Sequence, residues 1–190
     1  MSRAGLLALA LALPAAAQAQ DFSAGSTAKS WGLLGEEMAR FEAQVVDVLC
    51  ELGGDCPENC GGGARQLGLL RSTDGVLVMP MKNGQPVFSG AVADLLPYCG
   101  ETVEVDGLLV GEPEATPAKF FQVQTIRRPG DPEARPANRF TEAWAAANPE
   151  AAAEGGEWFR ADPDVRARIE AEGYLGLGPE VDAAFIAEWF

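Results

Sequence analysis

Apolar residues recur at intervals of three and four in the first third of the chain, at Met38, Phe41, Val45, Val48, Leu49 and Leu52. This spacing places them on one face of a helix and predicts an amphipathic helix over residues 30–52. Gly53 and Gly54 would end it, because glycine accepts the left-handed conformation that closes a helix. Cys50 is therefore expected in the last helical turn.

Beyond residue 65 the apolar positions alternate with polar ones, as in half-buried strands. We predict strands at 66–71, 76–81, 102–110 and 119–128. The first two flank an Asp74-Gly75 pair, which favours a hairpin turn. Residues 90–98 indicate a helical or irregular connector, and Pro113 and Pro117 lie in the turn between the last two strands.

A proline-rich segment at 129–137 predicts a linker. Three short helical patterns follow it, at 138–148, 162–173 and 178–190. Asp162 as the N-cap and Pro163 at the first helical position favour a helix start for the second. The chain is thus expected to be an α+β protein. Its N-terminal helix would be pinned by disulfides to a small antiparallel barrel or sheet of about five strands within residues 20–128, and residues 138–190 would form a helical C-terminal extension.

The first 19 residues have the pattern of a Sec-type signal peptide. Arg3 supplies the positive charge, residues 6–13 are apolar, and Ala17-Gln18-Ala19 is a small-x-small cleavage site. The mature chain would begin at Gln20 and reside in the periplasm or outside the cell. No later stretch is long and apolar enough to predict a membrane span.

The net charge and amino-acid composition of the chain exclude several classes of function. The 190-residue chain has a net charge of −14 and lacks histidine. Histidine-based acid–base catalysis and His-ligated metal sites are therefore excluded. An acidic protein is repelled by nucleic acid, so we expect no nucleic-acid partner.

Four cysteines follow the spacing Cys50-x5-Cys56-x3-Cys60-x38-Cys99. In an exported chain an even number predicts two disulfides, with three possible connectivities. The favoured arrangement joins Cys56 or Cys60 to Cys50 and the remaining loop cysteine to Cys99. A loop-closing bridge to Cys99 would stabilise the fold by about 3–4 kcal/mol.

Two alternative predictions give the same cysteines a chemical role in place of disulfide formation. Copper(I) favours soft sulfur ligands, and a copper site would use Cys56, Cys60, Met79 and Met81. The second alternative is thiol redox chemistry in the glycine-rich loop around Cys60. Neighbouring carboxylates would raise a thiol pKa there, which disfavours a reactive thiolate.

Three of the chain's four tryptophans, Trp144, Trp158 and Trp189, lie after the linker in a region rich in Ala and Glu, and Phe159 and Phe190 each follow one of them. Large aromatic side chains in such a segment need a surface to bury against. They would fold back onto the chain's own strands or anchor a partner protein.

The runs Tyr98-Cys99-Gly100-Glu101-Thr102-Val103-Glu104-Val105-Asp106-Gly107-Leu108-Leu109-Val110 and Phe120-Phe121-Gln122-Val123-Gln124-Thr125-Ile126 resemble the core strands of small exported OB-fold domains. The whole chain is also similar to uncharacterised periplasmic proteins of alphaproteobacteria. The resemblance implies a partner-binding or accessory role and carries over no catalytic residue. Nucleic-acid-binding OB-folds are basic, whereas this chain is acidic.

The expected function is therefore that of a non-catalytic periplasmic binding or accessory protein without a cofactor. It would present an acidic surface and an aromatic tail to another protein. The alternative is a copper-handling or thiol-redox protein that uses the cysteine cluster.

Overall fold

The computed structural model describes residues 21–82, 90–111, 120–173 and 179–189. The strands in these ranges are β1 (Glu37–Asp47), β2 (Leu67–Arg71), β3 (Leu77–Met81), β4 (Thr102–Val110), β5 (Phe120–Arg127) and β6 (Arg135–Pro136). The helices are α1 (Val48–Gly53), α2 (Gly90–Leu95), α3 (Arg139–Ala147), α4 (Pro149–Ala153), α5 (Trp158–Ala161), α6 (Pro163–Glu172) and α7 (Pro179–Trp189). The proposed signal peptide and the turn at Pro113 and Pro117 lie outside the described residues.

In the described part of the chain, β1 to β5 form a closed five-stranded barrel. β1 pairs with β2 on one edge and with β4 on the other, and β4 pairs with β5. The hairpin predicted around Asp74-Gly75 is present, with β2 antiparallel to β3. β3 and β5 pair in parallel and close the barrel. The strands are therefore mixed in direction, which corrects the expectation of an entirely antiparallel barrel or sheet.

The helix expected over residues 30–52 is wrong for most of its length. Residues 37–47 form β1, and the helix is limited to α1. Ala39, Phe41, Ala43 and Val45 are buried, whereas the residues between them are more exposed. This two-residue alternation coexists in the sequence with the helical spacing. The strand prevails because it pairs with both β2 and β4, which a helix cannot do.

Gly107 in β4 allows the barrel to close tightly against β5. A Cβ atom at this position would lie 2.0 Å from the carbonyl oxygen of Gln122. The register between β4 and β5 also shifts between Asp106 and Gly107. Such an irregularity bends a strand, as a small barrel requires.

The barrel interior is filled by apolar side chains from all five strands, and α2 covers one end. Phe121, Leu67, Leu69 and Val103 are fully buried, and Leu95 of α2 joins them. Phe41 packs on Phe121 with ring centroids 4.8 Å apart. These contacts make the barrel and α2 one core.

The C-terminal extension begins on the barrel itself. The proline-rich segment ends in β6, which pairs with β5, and Ala137 is buried in the barrel core. α3 then packs against α2. The three predicted helical segments are present as α3, α6 and α7, and α4 and α5 are two short helices that the sequence pattern did not predict.

The segment before β1 lies across the barrel as a strap. Asp106 of β4 accepts hydrogen bonds from Ser26 Oγ at 2.5 Å and from the Thr27 amide at 2.7 Å. The backbone of Lys29 exchanges two further hydrogen bonds with the side chain of Gln124. Among the described helices, none is long and apolar enough to cross a membrane.

Candidate binding sites

Two disulfides fix the connection between β1 and β2. Cys50 bonds to Cys56 within this connection, and Cys60 bonds to Cys99, 39 residues farther along the chain. The second bond ties the connection to the residues that precede β4. All four cysteines are therefore used in disulfides, which are typical of proteins in oxidising, non-cytoplasmic compartments.

The residues at the two ends of α1 are of the types that commonly cap helices. Asp47 caps the N-terminus of α1 by accepting from the amides of Leu49 and Cys50. Gly54 ends the helix at a φ of 74°, as glycine is suited to do. Asn59 and Cys60 also have positive φ, at 49° and 48°. Non-glycine residues rarely adopt this conformation, so the turn at Asn59 and Cys60 carries backbone strain.

A groove of about 630 Å³ lies between this connection and α2. Leu49, Val92 and Leu96 are apolar residues that line it. Arg65 also lines it. The groove thus combines apolar walls with one charged group and is held by elements that the Cys60–Cys99 disulfide joins.

Arg65 is paired within the protein. Its guanidinium donates to the Asp55 carboxylate at 2.7 Å and lies 3.8 Å from that of Asp47. The hydrogen bond with Asp55 raises the pKa of Arg65. Glu51 and Glu58 are exposed nearby in sequence.

Both cysteines named for the copper alternative are bonded in disulfides. Cys56 and Cys60 belong to different disulfides and present no thiolates. Met81 is buried and Met79 is half-buried on β3. Among the described residues, there is no group of three or more His, Cys, Asp or Glu side chains placed to hold a metal ion. Copper binding through these cysteines would require their reduction.

Three of the five aromatic residues named for partner binding meet in the C-terminal extension. Trp158 is at the centre, with its ring centroid 5.9 Å from Trp144 and 6.1 Å from Phe159. Phe140 completes the group at 5.0 Å from Trp158. We call these four residues the aromatic cluster. Trp189 is the last residue of α7, and Phe190 lies outside the described residues.

The aromatic cluster is joined to α6 through Asp162. One carboxylate oxygen accepts from the Trp144 indole Nε1 at 2.6 Å. The other accepts from the Val165 amide at 2.9 Å and caps α6. The hydrogen bonds from Val165 and Trp144 lower the pKa of the Asp162 carboxyl. The predicted start of a helix at Asp162-Pro163 is confirmed, and the indole contact is an additional role.

A buried polar contact joins α2 to α3. Asp94 is 1% exposed and accepts from the Arg139 amide at 3.0 Å. Burial raises the pKa of Asp94 and lowers that of Lys82. One oxygen of Asp94, the Asn138 side-chain oxygen and Arg139 Nε are buried without a hydrogen-bond partner. These atoms lie where the extension meets the barrel.

Sequence reasoning missed several of these residues. Leu49 was assigned to the inner face of a helix, but it is exposed at the groove. Phe140 falls within the predicted helical segment 138–148, where the pattern gives it no role. Asp94 was a single acidic residue in an apolar connector, an uncommon placement that signals a buried contact. Arg65 carries no local signal, because its partners depend on how the loop folds.

No protein-family model, curated protein or solved structure matches this chain.

Proposed function

We propose that this protein is a non-catalytic, exported binding protein that docks a partner protein through the aromatic cluster. Its place of action would be the periplasm or the cell exterior, reached through the predicted signal peptide. The barrel would serve as a disulfide-stabilised support. The acidic surface would favour a basic partner, since opposite charges accelerate association and favour correct pairing.

The observation that carries this proposal is the incomplete burial of the aromatic cluster. Phe140 and Phe159 remain 40% and 45% exposed although both pack on Trp158. Trp144 and Trp158 are half-buried beneath them. Interfaces are enriched in aromatic anchors of this kind, which supply large contact areas at low cost in conformational entropy.

The OB-type identity of the barrel is part of the same proposal. Its support is the closed barrel of five strands, in which the two runs that resemble OB-fold strands are the neighbours β4 and β5. Barrels of this type are binding modules in many proteins. The acidic charge favours a protein ligand over an oligonucleotide.

Site-specific photocrosslinking in the native host tests this function. A photoreactive phenylalanine analogue is placed at Phe159, and the matched control carries it at Ile169. Ile169 is similarly exposed, at 42%, but lies on α6 outside the aromatic cluster. A discrete protein adduct from position 159 that is absent from position 169 supports the proposal.

A second measurement controls for nonspecific crosslinking. Trp158→Ala in the same chain should abolish the adduct at position 159, because it removes the centre of the aromatic cluster. Equal adducts from both positions, or an adduct that persists in Trp158→Ala, would reject the cluster as the docking surface.

A further inference from the structure

We propose that the Cys50–Cys56 bond is a site of reversible thiol–disulfide exchange with a dithiol, whereas the Cys60–Cys99 bond is structural. We call the first the exchange disulfide and the second the core disulfide. Exchange would open and re-form the first bond while the barrel stays folded. The site is separate from the aromatic cluster and does not depend on the function proposed for it.

The two bonds differ in their exposure to solvent. Cys56 is exposed and Cys50 is half-buried, so the exchange disulfide lies at the protein surface. Cys60 is only 6% exposed and belongs to the barrel core, against which Cys99 also packs. A thiolate must reach a sulfur atom of a disulfide before it can exchange with it. The folded protein therefore offers the exchange disulfide to an attacking thiolate and shields the core disulfide.

Two glycines lie in the loop that the exchange disulfide closes. A Cβ atom at Gly53 or Gly54 would meet nothing within 4 Å, and neither residue has a side chain that could cover the bond. Leu52 and Asp55, which flank this pair, are both exposed. This part of the loop is therefore open to a molecule that approaches from solvent.

The fold protects the two bonds from reduction to different degrees. A disulfide that stabilises a fold is stabilised by that fold to the same extent, because the two equilibria are linked. In the chain-entropy relation this effect grows as the 3/2 power of loop length, and the sequence separations are 6 and 39 residues. The exchange disulfide should therefore be reduced about 15-fold more readily than the core disulfide.

Contacts other than the exchange disulfide hold the surrounding chain. Asp47 caps α1 by accepting from two backbone amides. The Arg65 guanidinium donates to the Asp55 carboxylate at 2.7 Å and to the Asp55 carbonyl oxygen at 3.1 Å. The core disulfide fastens the rest of the connection to the residues that precede β4. Opening the exchange disulfide should therefore leave the barrel folded.

The exchange takes place in two steps. A thiolate of the dithiol attacks the sulfur of Cys56, the more exposed partner, and a bond forms between these two sulfurs. The bond to Cys50 breaks, and Cys50 leaves as a thiolate that takes up a proton. The second thiolate of the dithiol then attacks the dithiol's own sulfur in this mixed disulfide and releases Cys56, which is also protonated. Two electrons pass to the protein, and the dithiol becomes an internal disulfide.

The test uses the full oxidised chain, without denaturant, in a series of ratios of reduced to oxidised dithiothreitol. After equilibration N-ethylmaleimide traps the free thiols, and peptide mass spectrometry identifies the cysteines that carry it. Circular dichroism of the same samples reports whether the fold is retained. A transfer of the reduced protein to oxidised dithiothreitol alone measures whether the bond re-forms.

A matched control lacks the exchange disulfide. In the double variant Cys50→Ala and Cys56→Ala, half reduction of the core disulfide should require the same dithiothreitol ratio as in the native protein, within twofold. A larger shift would show that the two bonds open together and would overturn the proposal.

We expect half reduction of the exchange disulfide at a dithiothreitol ratio about 15-fold lower than that of the core disulfide. The circular dichroism spectrum should stay unchanged at this step, and the bond should re-form after transfer. Equal ratios, or earlier reduction of the core disulfide, would overturn the proposal. Loss of the spectrum as the exchange disulfide opens would also overturn it, because that bond would then be required for the fold.

Discussion

The carboxylate of Asp94 in α2 accepts a hydrogen bond from the backbone amide of Arg139, the first residue of α3, at 3.0 Å. A residue of the barrel's end helix thus caps the helix that begins the C-terminal extension. Asn138 precedes α3 but makes no side-chain capping hydrogen bond. The orientation of the extension relative to the barrel therefore depends on a contact between residues 45 positions apart.

Replacement of Asp94 should loosen this junction. Asp94→Ala leaves the Arg139 amide unsatisfied and is expected to lower the free energy of unfolding by about 1–2 kcal/mol. Urea denaturation measures this loss. Glu170→Ala, at an exposed position of α6, should change stability by less than about 0.5 kcal/mol. Equal effects of the two variants would show that the junction contributes nothing specific.

The same residue should affect stability in a pH-dependent way. Burial raises the pKa of Asp94 in the folded protein, so its protonated form is favoured by folding. Its contribution to stability is greatest below the pKa of an unfolded aspartate and is lost as pH rises through the raised folded value. Asp94→Asn removes this dependence.

We therefore expect the native protein to lose stability relative to Asp94→Asn as pH rises through that interval. Urea denaturation of both proteins over a pH series provides the measurement. A difference that stays constant or changes in the opposite direction would contradict the raised pKa.

The contribution of Asp162 to stability should depend on pH in the opposite direction. Its hydrogen bonds with Val165 and Trp144 lower the pKa of its carboxyl, so its contribution is present above the ordinary aspartate pKa. That contribution is lost as pH falls through the lowered folded value. In NMR spectra the Trp144 indole N–H resonance should shift in this acidic range. Asp162→Asn should abolish the Trp144 transition.

The two disulfides should contribute unequally to stability. The Cys60–Cys99 bond spans a sequence separation of 39 residues, and the Cys50–Cys56 bond spans 6. The chain-entropy relation predicts a loss of about 4 kcal/mol when Cys60 and Cys99 are both replaced with alanine, and about 2 kcal/mol for Cys50 and Cys56. Denaturation of the two double variants tests this order, and a larger loss for Cys50 and Cys56 would reverse it.

Gly107 should tolerate no side chain. Gly107→Ala places a Cβ atom 2.0 Å from the Gln122 carbonyl oxygen, so β4 and β5 must separate and stability should fall by about 3 kcal/mol. Gly53→Ala is the control, because a Cβ atom there meets nothing within 4 Å. Thermal unfolding followed by circular dichroism compares the two. Similar melting temperatures would exclude the close approach of the strands.

Local sequence patterns were sufficient to predict several strands, turns and helix ends. The Asp74-Gly75 pair predicted the β2–β3 hairpin because the turn chemistry is contained in adjacent residues. The alternation in residues 102–110 predicted β4, and Asp162-Pro163 predicted the start of α6. These signals succeed because the interactions they describe lie within a few residues of each other.

Local sequence patterns predicted the candidate sites only in part. Trp144, Trp158 and Phe159 were correctly singled out, but their assembly around Trp158 depends on the turns between α3, α4 and α5. Leu49 and Leu52 were interpreted as a buried helical face and are exposed. Their exposure follows from the end of β1 at Asp47, which the helical spacing concealed.

By itself the sequence determined the four cysteines, the acidic charge, the absence of histidine and the strand and turn patterns that are local to a few residues. Tertiary structure decided that residues 37–47 form a strand, that β3 and β5 close a barrel, and that Cys60 bonds to Cys99. Helix propensities differ by at most about 0.7 kcal/mol per ordinary residue. Pairing along both edges of β1 and burial of alternate side chains outweigh such preferences, and these contacts exist only when distant segments meet.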